Sequence, residues 1–407
     1  MGIIALQFAI GGVMRKTKIM VRLNNKEKAA LTATAEAKGL AIATWARLEL
    51  MRIANEGIKP SSTVRESNVP YGNNNGNGTH FGLLSLFCGP GGLDEGFKQA
   101  GFKTLVGIDN DKDCINTFLT NHPESKAAVE DITKLTIEKL DKILGNTLHP
   151  VGVIGGPPCQ SFSVSNVHQS ENDPRHRLPE AYASLLKKLN ARKPISFFVF
   201  ENVPGLLSQR HIHRYEAFKR MFEQAGFKLY EKLLDAKDYG VPQERPRIII
   251  VGINEKLHPG ASWIPPKTEN ELKTVESAIK GLPEPVYNAP GLDPESFPVH
   301  PNHWCLVPRS TKFKNGRLEQ GQMWGRSFRT LTWSKPSWTV AYGHREVHVH
   351  PEGHRRLSMY EALLLQTFPK RYRLTGNLSA QIRLVSEAVP PRLAWHIAQS
   401  IRDSLHI

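Results

Sequence analysis

The stretch "GLLSLFCGPGGLDEGFKQA" at residues 82–100 decides the fold class of this chain. A short apolar run ends in a Gly-Pro-Gly-Gly turn, and a helix-like segment follows directly. Glycines in a strand–turn–helix unit let the main chain approach a ligand closely, and the helix N-terminus favours negative charge. A single turn of this kind is weak evidence for a ligand. It does predict the first strand and helix of an α/β domain.

Four further apolar runs are of similar length and are separated by helical stretches. They are KTLVGIDN (103–110), PVGVIGG (150–156), ISFFVFEN (195–202) and RIIIVGIN (247–254). Such runs indicate a parallel sheet that helices cover on both faces. We therefore expect an α/β, doubly wound, Rossmann-like domain whose ligands bind at the carboxyl ends of the strands.

Composition divides the chain into five expected parts. The Gly- and Asn-rich stretch "YGNNNGNGTH" (71–80) is typical of a flexible linker. Beyond residue 255, prolines and turns replace the alternation of strands and helices, and helical periodicity returns near the C-terminus. The expected parts are a small α+β N-terminal segment (1–58), a linker (59–80), a catalytic domain (81–255), a smaller irregular domain (256–345) and a part that completes the catalytic domain (346–407).

The net charge of +15, from 53 Lys and Arg against 38 Asp and Glu, favours a polyanionic partner, with nucleic acid first. Four cysteines without a CxxC pair fit neither a zinc site nor a disulfide framework, so we expect free thiols in a reducing, intracellular setting. The apolar opening (1–13) is too short to span a bilayer, and its positive charges follow it instead of preceding it as in a signal peptide. We expect no membrane association and assign these residues no role.

Three polar residues lie at the predicted ligand edge. Asp109 ends the second apolar run, where an acid binds ribose hydroxyls, so a nucleoside-containing cofactor is favoured. Cys159 follows the third run after two glycines and two prolines, and Glu201 ends the fourth. A cysteine is often only a small buried hydrophobe, but a rigid loop is not core. A nucleophile and an acid at neighbouring strand ends form a candidate pair for covalent catalysis.

The motifs "LFCGPGGLDEGF", "GGPPCQSFS", "ENV", "VPQERPRIIIVG", "RRLSMYEALLLQTFP" and "EAVPPRLAWHIAQSI" occur in this order. Together they resemble the DNA (cytosine-5)-methyltransferase family over about 81–407, apart from the irregular insert, which corresponds to the target-recognition domain of that family. The resemblance implies S-adenosylmethionine as cofactor and double-stranded DNA as substrate. Two alternatives stay open: a transfer-RNA cytosine-5 methyltransferase of the same family, and a DNA-binding regulator with little catalysis.

The resemblance also implies roles for individual residues. Those matching cofactor positions are Phe87, Gly89, Gly91, Gly92, Asp109, Asp131, Ile132 and Val389. Those matching catalytic positions are the nucleophile Cys159, the acid motif Glu201 and Asn202, and Arg245 and Arg247. Ser163, Ser165 and Gln243 match positions that contact DNA. Ser386 and Glu387 replace a usual Gly-Asn pair, which puts the affinity for the cofactor in doubt.

These residue types suit the implied chemistry. Carbon C5 of cytosine is a poor nucleophile until a thiolate such as that of Cys159 adds to C6. Glu201 would hold the N3 and N4 edge and protonate N3, while Arg247 would hold O2. Because these atoms lie inside a duplex, the cytosine must be flipped out.

The N-terminal segment is basic, with eleven Lys and Arg against five Asp and Glu in residues 1–80. The alternating stretch "TKIMVRL" (17–23) and two amphipathic helices after it are similar to ribbon-helix-helix DNA-binding domains. That similarity implies a homodimer with Lys18, Met20 and Arg22 facing DNA, and regulation of the enzyme's own transcription. The alternative is a helical hairpin that merely extends the enzyme. The family also implies that the enzyme acts on prokaryotic or phage DNA in the cytoplasm. It would act either beside a cognate restriction endonuclease or as an orphan methyltransferase without one.

Four histidines cluster near the start of the C-terminal part: His344, His348, His350 and His354. They suggest a metal site, but no cysteine or carboxylate completes a ligand set in the sequence pattern. We therefore expect no metal, and a polar strand and turn that face DNA.

Overall fold

The structure is a computed structural model of the 407-residue chain. It describes two strands in the first 23 residues, Thr32, and then residues 81–158, 177–314, 318–325, 327–339 and 347–407. The chain divides into two compact units, Met1–Pro70 and Tyr71–Ile407. The four boundaries between the five expected parts stay predictions.

The first unit contains an antiparallel pair of strands, β1 (Gly2–Phe8) and β2 (Thr17–Leu23). The strand expected at 17–23 is therefore present. Its partner is the apolar opening of the same chain, to which the sequence assigned no role. Both predicted helices lie outside the described residues, so the ribbon-helix-helix domain and the homodimer stay predictions.

The second unit is built on a seven-stranded sheet in the order β5-β4-β3-β6-β7-β9-β8. The strands are β3 (Phe81–Leu86), β4 (Phe102–Asp109), β5 (Lys126–Val129), β6 (Gly152–Gly155), β7 (Phe197–Asn202), β8 (Lys228–Asp235) and β9 (Pro246–Ile253). All neighbours are parallel except β9, which is antiparallel to both β7 and β8. The expectation of a wholly parallel sheet was wrong for β9, because only about ten residues join β8 to β9 and a parallel crossover needs more.

Nine helices are described in this unit. They are α1 (Gly92–Gln99), α2 (Lys112–Asn121), α3 (Ile137–Leu144), α4 (Leu178–Arg192), α5 (Ile212–Gln224), α6 (Val275–Ile279), α7 (Met359–Leu365), α8 (Leu378–Glu387) and α9 (Pro391–Leu405). Strand β7 is buried on both faces: Phe198 and Phe200 pack with α3, α4 and α5, whereas Phe197 and Val199 pack with α1 and α9. The doubly wound α/β fold is confirmed. No helix among the described residues is long and apolar enough to cross a membrane.

Between β9 and α7, the described residues contain α6 and strands that are all short. They are β10 (Val286–Tyr287), β11 (Trp304–Cys305), β12 (Met323–Trp324), β13 (Phe328–Thr330) and β14 (His348–Val349). Strand β14 pairs in parallel with β13 across the boundary expected at 345/346. Below it, Arg355 donates two hydrogen bonds of 2.8 Å to the carboxylate of Glu361 in α7, and both side chains are almost completely buried. Arg355 Nε also donates a hydrogen bond of 3.0 Å to Glu284 Oε2, and this contact ties the irregular region to the C-terminal part.

Candidate active site

The turn between β3 and α1 is held in an uncommon conformation. Phe87 has φ of 53°, which a residue with a side chain rarely adopts and which is found mainly at functional sites. At Gly91, with φ of 88°, a Cβ would lie 2.7 Å from the hydroxyl of Tyr372. At Gly92 a Cβ would lie 2.2 Å from the carbonyl oxygen of Val389. Glycine is therefore required at Gly92 by close packing, and this packing explains how Val389 belongs to the same site.

Asp109 closes the turn from the neighbouring strand. Its Oδ2 accepts a hydrogen bond of 2.9 Å from the main chain of Gly89, and its Oδ1 accepts one of 3.0 Å from the main chain of Asp111. Burial raises the pKa of the Asp109 carboxyl, and the two main-chain donors oppose that rise. A Cβ on Gly89 would meet only open space, which leaves room for a ligand above the turn.

A cleft opens at this edge of the sheet. It is lined by Phe87, Ile108, Asp109, Asn110, Glu130, Asp131, Ile132, Pro158 and Leu178. Four of the residues predicted to bind the cofactor thus share one cleft. Apolar walls and a fixed carboxylate suit an adenine ring and ribose hydroxyls, so these residues fit the nucleoside portion of S-adenosylmethionine. The glycine turn and Val389 adjoin it through the contacts given above.

Two acidic residues follow the end of β5: Asp131, which was predicted to bind the cofactor, and Glu130, which was not. Asp131 accepts hydrogen bonds from the main chain and hydroxyl of Thr133, which lower the pKa of its carboxyl. Its neighbour Ile132 is buried in the cleft wall. Glu130 also lines the cleft and forms an ion pair of 2.5 Å with Lys139, and sequence reasoning missed it. Its position directly before Asp131 was the available signal.

The second half of the edge contains an ion pair between two predicted catalytic residues. Arg247 Nε lies 2.7 Å from Glu201 Oε1, and each side chain is only about a tenth exposed. Glu201 lies on β7 and faces Ile249 of β9 in the register. Because β9 is antiparallel, its first residues lie at the edge where β7 ends. The reversal of β9 therefore brings Arg247 beside Glu201.

The loop that leads to the predicted nucleophile is fixed next to this pair. Asn202 Nδ2 donates a hydrogen bond of 3.2 Å to the carbonyl oxygen of Pro157. A Cβ on Gly156 would lie 2.5 Å from Glu201 Oε2, so glycine allows the carboxylate to approach the loop. Pro158, one residue before Cys159, lines the cofactor cleft. Residues 159–176 lie outside the described residues, and with them Cys159, Ser163 and Ser165.

Gln243 and Arg245, from the motif VPQERPRIIIVG, are both almost completely buried. Arg245 Nη2 donates hydrogen bonds of 2.8 Å to the carbonyl oxygens of Ser386 and Ala388. It therefore supports the segment that packs on the glycine turn, and we interpret it as a positioning residue. Gln243 is completely buried and lies 3.5 Å from the hydroxyl of Ser337, so its predicted contact with DNA stays a prediction that requires this packing to open.

Three other cysteines lie in the part of the chain that the structure describes. Cys88, Cys114 and Cys305 are buried and take part in no disulfide there. Burial and the nearby Asp109 carboxylate raise the pKa of the Cys88 thiol, so it is not an activated nucleophile.

The expectation that the histidine strand faces DNA was wrong at His348. This residue is completely buried, and burial lowers the pKa of its ring to about 3. Pairing with β13 turns it into the interior.

Comparisons with known proteins agree with this arrangement. Residues 81–403 match the model of the C-5 cytosine-specific DNA methylase family. The Type II methyltransferase M.FnuDI of Fusobacterium nucleatum is 34% identical over 346 residues, which cover 79% of this chain and 94% of that relative. The Type II methyltransferase M.MthTI of Methanothermobacter thermautotrophicus is also 34% identical, over 79% of this chain and 97% of that relative.

The fold agrees with a solved structure. A crystal structure of a DNA modification methyltransferase encoded within an E. coli prophage superposes with a TM-score of 0.67 at 22% identity and covers 80% of this chain and all of that one. With the family model, the curated relatives and the fold in agreement, the chain belongs to the C-5 cytosine-specific DNA methylase family and is a DNA (cytosine-5)-methyltransferase.

Proposed function

We propose that this enzyme methylates C5 of a flipped cytosine in a short duplex DNA sequence through a covalent adduct on Cys159. The observation that carries the proposal is the Glu201–Arg247 ion pair of 2.7 Å beside the loop Gly156–Pro158. The same loop lines the cofactor cleft. A base held by the ion pair and a methyl donor held in the cleft would thus meet at the residue that follows Pro158.

Each step uses a residue at this edge. The Cys159 thiolate forms a bond to C6 while Glu201 supplies a proton to N3, and Arg247 holds O2 as negative charge develops. Carbon C5 then forms a bond to the methyl group as the bond between that group and its sulfur breaks, and the proton on N3 returns to Glu201. A water molecule removes the proton from C5, the bond to Cys159 breaks, and the thiolate is regenerated.

S-adenosylmethionine, when bound, supplies the electrophilic methyl group. The chain would bind and orient it: Asp109 would hold the ribose hydroxyls, and Asp131 and Ile132 would hold the adenine. The remaining wall would be formed by Phe87, Gly89, Gly91, Gly92 and Val389. The fixed carboxylate of Asp109 and the apolar walls of the cleft support this assignment.

The irregular region supplies a surface suited to duplex DNA. Met323 and Trp324 on β12 are 62% and 41% exposed. Lys312 lies 4.9 Å from the centre of the Trp324 ring. Residues 308–329 carry six Lys and Arg and one Glu. Exposed aromatic and cationic groups of this kind contact base edges and phosphates, so we expect β12 to contribute to target recognition.

Covalent trapping tests the proposal. Duplex DNA with 5-fluorocytosine at a target site, incubated with enzyme and S-adenosylmethionine, should give an adduct that survives denaturing electrophoresis, because fluorine cannot leave as a proton does. Cys159→Ala should abolish the adduct, whereas the control Cys305→Ala should retain it. An adduct that persists in Cys159→Ala would overturn the proposed nucleophile.

For its biological role, we propose that the enzyme modifies prokaryotic or phage DNA in the cytoplasm, either with a cognate restriction endonuclease or as an orphan. Genome-wide mapping of 5-methylcytosine in a methylation-free host should give one short motif. Deletion of residues 1–70 should preserve methylation and abolish binding to the upstream promoter if the N-terminal segment regulates transcription. Unchanged promoter binding would contradict that role.

A further inference from the structure

The turn after β14 places two histidines and a carboxylate around one point. His350 Nδ1 lies 3.9 Å from Glu352 Oε2, and His354 Nδ1 lies 3.7 Å from the same oxygen. One potential ligand atom from each of the three residues lies within 4.8 Å of the others. Among the described residues, this is the group whose donor types and spacing fit a metal ion.

The distances distinguish this group from an ordinary hydrogen-bonded turn. Separations of 3.7 and 3.9 Å are too long for hydrogen bonds between the side chains. Ligand atoms bound tetrahedrally at about 2.0–2.1 Å from a zinc ion lie about 3.3 Å apart. The two separations between Glu352 and the histidines each exceed that spacing by about half an ångström, and a small rotation of the exposed Glu352 carboxylate would shorten them.

The other ring nitrogen of His354 is already oriented. His354 Nε2 lies 3.1 Å from Glu284 Oε1, and Glu284 Oε2 accepts a hydrogen bond of 3.0 Å from Arg355. Histidines that bind metals usually donate their second N–H to a carboxylate in this way, which fixes the tautomer. The lone pair of His354 Nδ1 is then directed toward Glu352.

His350 is oriented by its own turn. The main-chain N–H of Glu352 lies 3.4 Å from His350 Nδ1, so this nitrogen faces the inside of the turn as an acceptor. The ring is packed against Trp333, with the ring centres 5.1 Å apart, and the residue is 5% exposed. A metal ion would take over the lone pair that now accepts this long hydrogen bond.

We propose that His350, Glu352 and His354 bind a divalent transition metal ion, with zinc as the best fit. Two imidazoles and one carboxylate are common zinc ligands, and the exposed side of the turn leaves a fourth position for water. This revises the expectation of no metal, because Glu352 supplies the carboxylate that the sequence pattern did not reveal. Through Glu284 and Arg355, the ion would strengthen the junction between the target region and the C-terminal part.

Metal binding to the full chain tests this proposal. After chelator treatment and dialysis, titration with Co²⁺ should give one equivalent of visible absorption typical of a tetrahedral site, and Zn²⁺ should displace it. Glu352→Gln and His354→Ala should each lose this signal or weaken binding at least tenfold. Glu284→Gln should weaken binding about 10- to 100-fold, because it removes the carboxylate behind His354.

Two controls keep the result interpretable. His213→Ala removes an exposed histidine of α5 and should leave binding unchanged, and Cys159→Ala removes a thiolate that attracts the same ions. Glu352 is 59% exposed on its side chain, so Glu352→Gln should fold normally, as circular dichroism will verify. No saturable binding, or equal binding by Glu352→Gln and the parent protein, would show an ion-paired turn and overturn the proposal. Neither result bears on methyl transfer.

Discussion

At the carboxyl edge of the sheet, the half formed by β3, β4 and β5 fixes its key carboxylate with main-chain N–H groups. The half formed by β6, β7 and β9 instead pairs the Glu201 carboxylate with Arg247. A nucleoside needs a shaped cleft and one fixed acceptor, which local turn geometry supplies. A base that gains charge during the reaction needs an acid and a cation held together away from water. Here the acid is Glu201, and β9, a strand from a distant part of the chain, brings the cation Arg247.

The largest effect should come from replacing the carboxyl group of Glu201, in the half of the edge formed by β6, β7 and β9. Glu201→Gln should lower turnover by about 10²- to 10⁴-fold, because the amide cannot supply the proton to N3. Single-turnover methylation measures this. The matched control Glu255→Gln breaks an exposed ion pair of 3.2 Å with Lys228 and should leave the rate unchanged. Equal turnover of Glu201→Gln and the parent would remove Glu201 from the mechanism.

The next prediction concerns how the buried carboxyl group of Asp94, in the half formed by β3, β4 and β5, changes the free energy of unfolding with pH. Asp94 accepts hydrogen bonds from Thr104 and Ser85, yet burial raises the pKa of its carboxyl to about 6. An unfolded Asp titrates near pH 3.9, so between about pH 4 and pH 6 the folded state binds more protons and loses stability as pH rises.

Relative to Asp94→Asn, the parent should therefore lose up to about 3 kcal/mol of unfolding free energy across that window. Urea unfolding at pH 4, 5, 6 and 7 measures the difference between the two proteins. A constant difference would show that Asp94 titrates in its ordinary range.

The glycine turn offers a matched pair of substitutions. Gly92→Ala places a Cβ 2.2 Å from the Val389 carbonyl oxygen and should destabilise the protein by about 1–3 kcal/mol, although alanine favours a helix. Gly89→Ala meets open space and should cost about 1 kcal/mol, from its φ of 54° alone. Urea unfolding without cofactor compares them. A smaller loss for Gly92→Ala than for Gly89→Ala would contradict close packing as the cause.

The smallest effect should come from the residue that connects the two halves. Arg245→Lys replaces a guanidinium that donates hydrogen bonds to the carbonyl oxygens of Ser386 and Ala388. It should lower the free energy of unfolding by about 1 kcal/mol. It should mainly weaken S-adenosylmethionine binding, because Val389 follows directly. Arg247→Lys should mainly lower turnover. Calorimetry of S-adenosylmethionine binding and measurement of kcat distinguish the two variants. Equal changes of affinity and of kcat in Arg245→Lys and Arg247→Lys would contradict separate roles.

The sequence predicted most of the cofactor half because its signals are local. The turn Phe87–Gly92 and Asp109 lie within about two dozen residues, and the parallel strands β3 and β4 bring them together without further information. Glu130 was missed because β5 is a strand of only four residues, KAAV, which gives no apolar run whose end could be recognised. The RIIIVGIN run predicted strand β9 but not its direction, because strand direction depends on the length of a connection and not on the strand's own residues.

By itself, the sequence determined five of the seven strands of the main sheet, the glycine turn, the family and the residue types that the chemistry needs, since each depends on neighbouring residues or on motif order. Tertiary structure alone decided that antiparallel β9 brings Arg247 to Glu201 and buries Arg245 beneath the Val389 segment. It also decided that β14 turns His348 inward, and that the turn after it brings His350 and His354 to Glu352. Contacts between residues far apart in sequence depend on chain direction and packing, which no local pattern encodes.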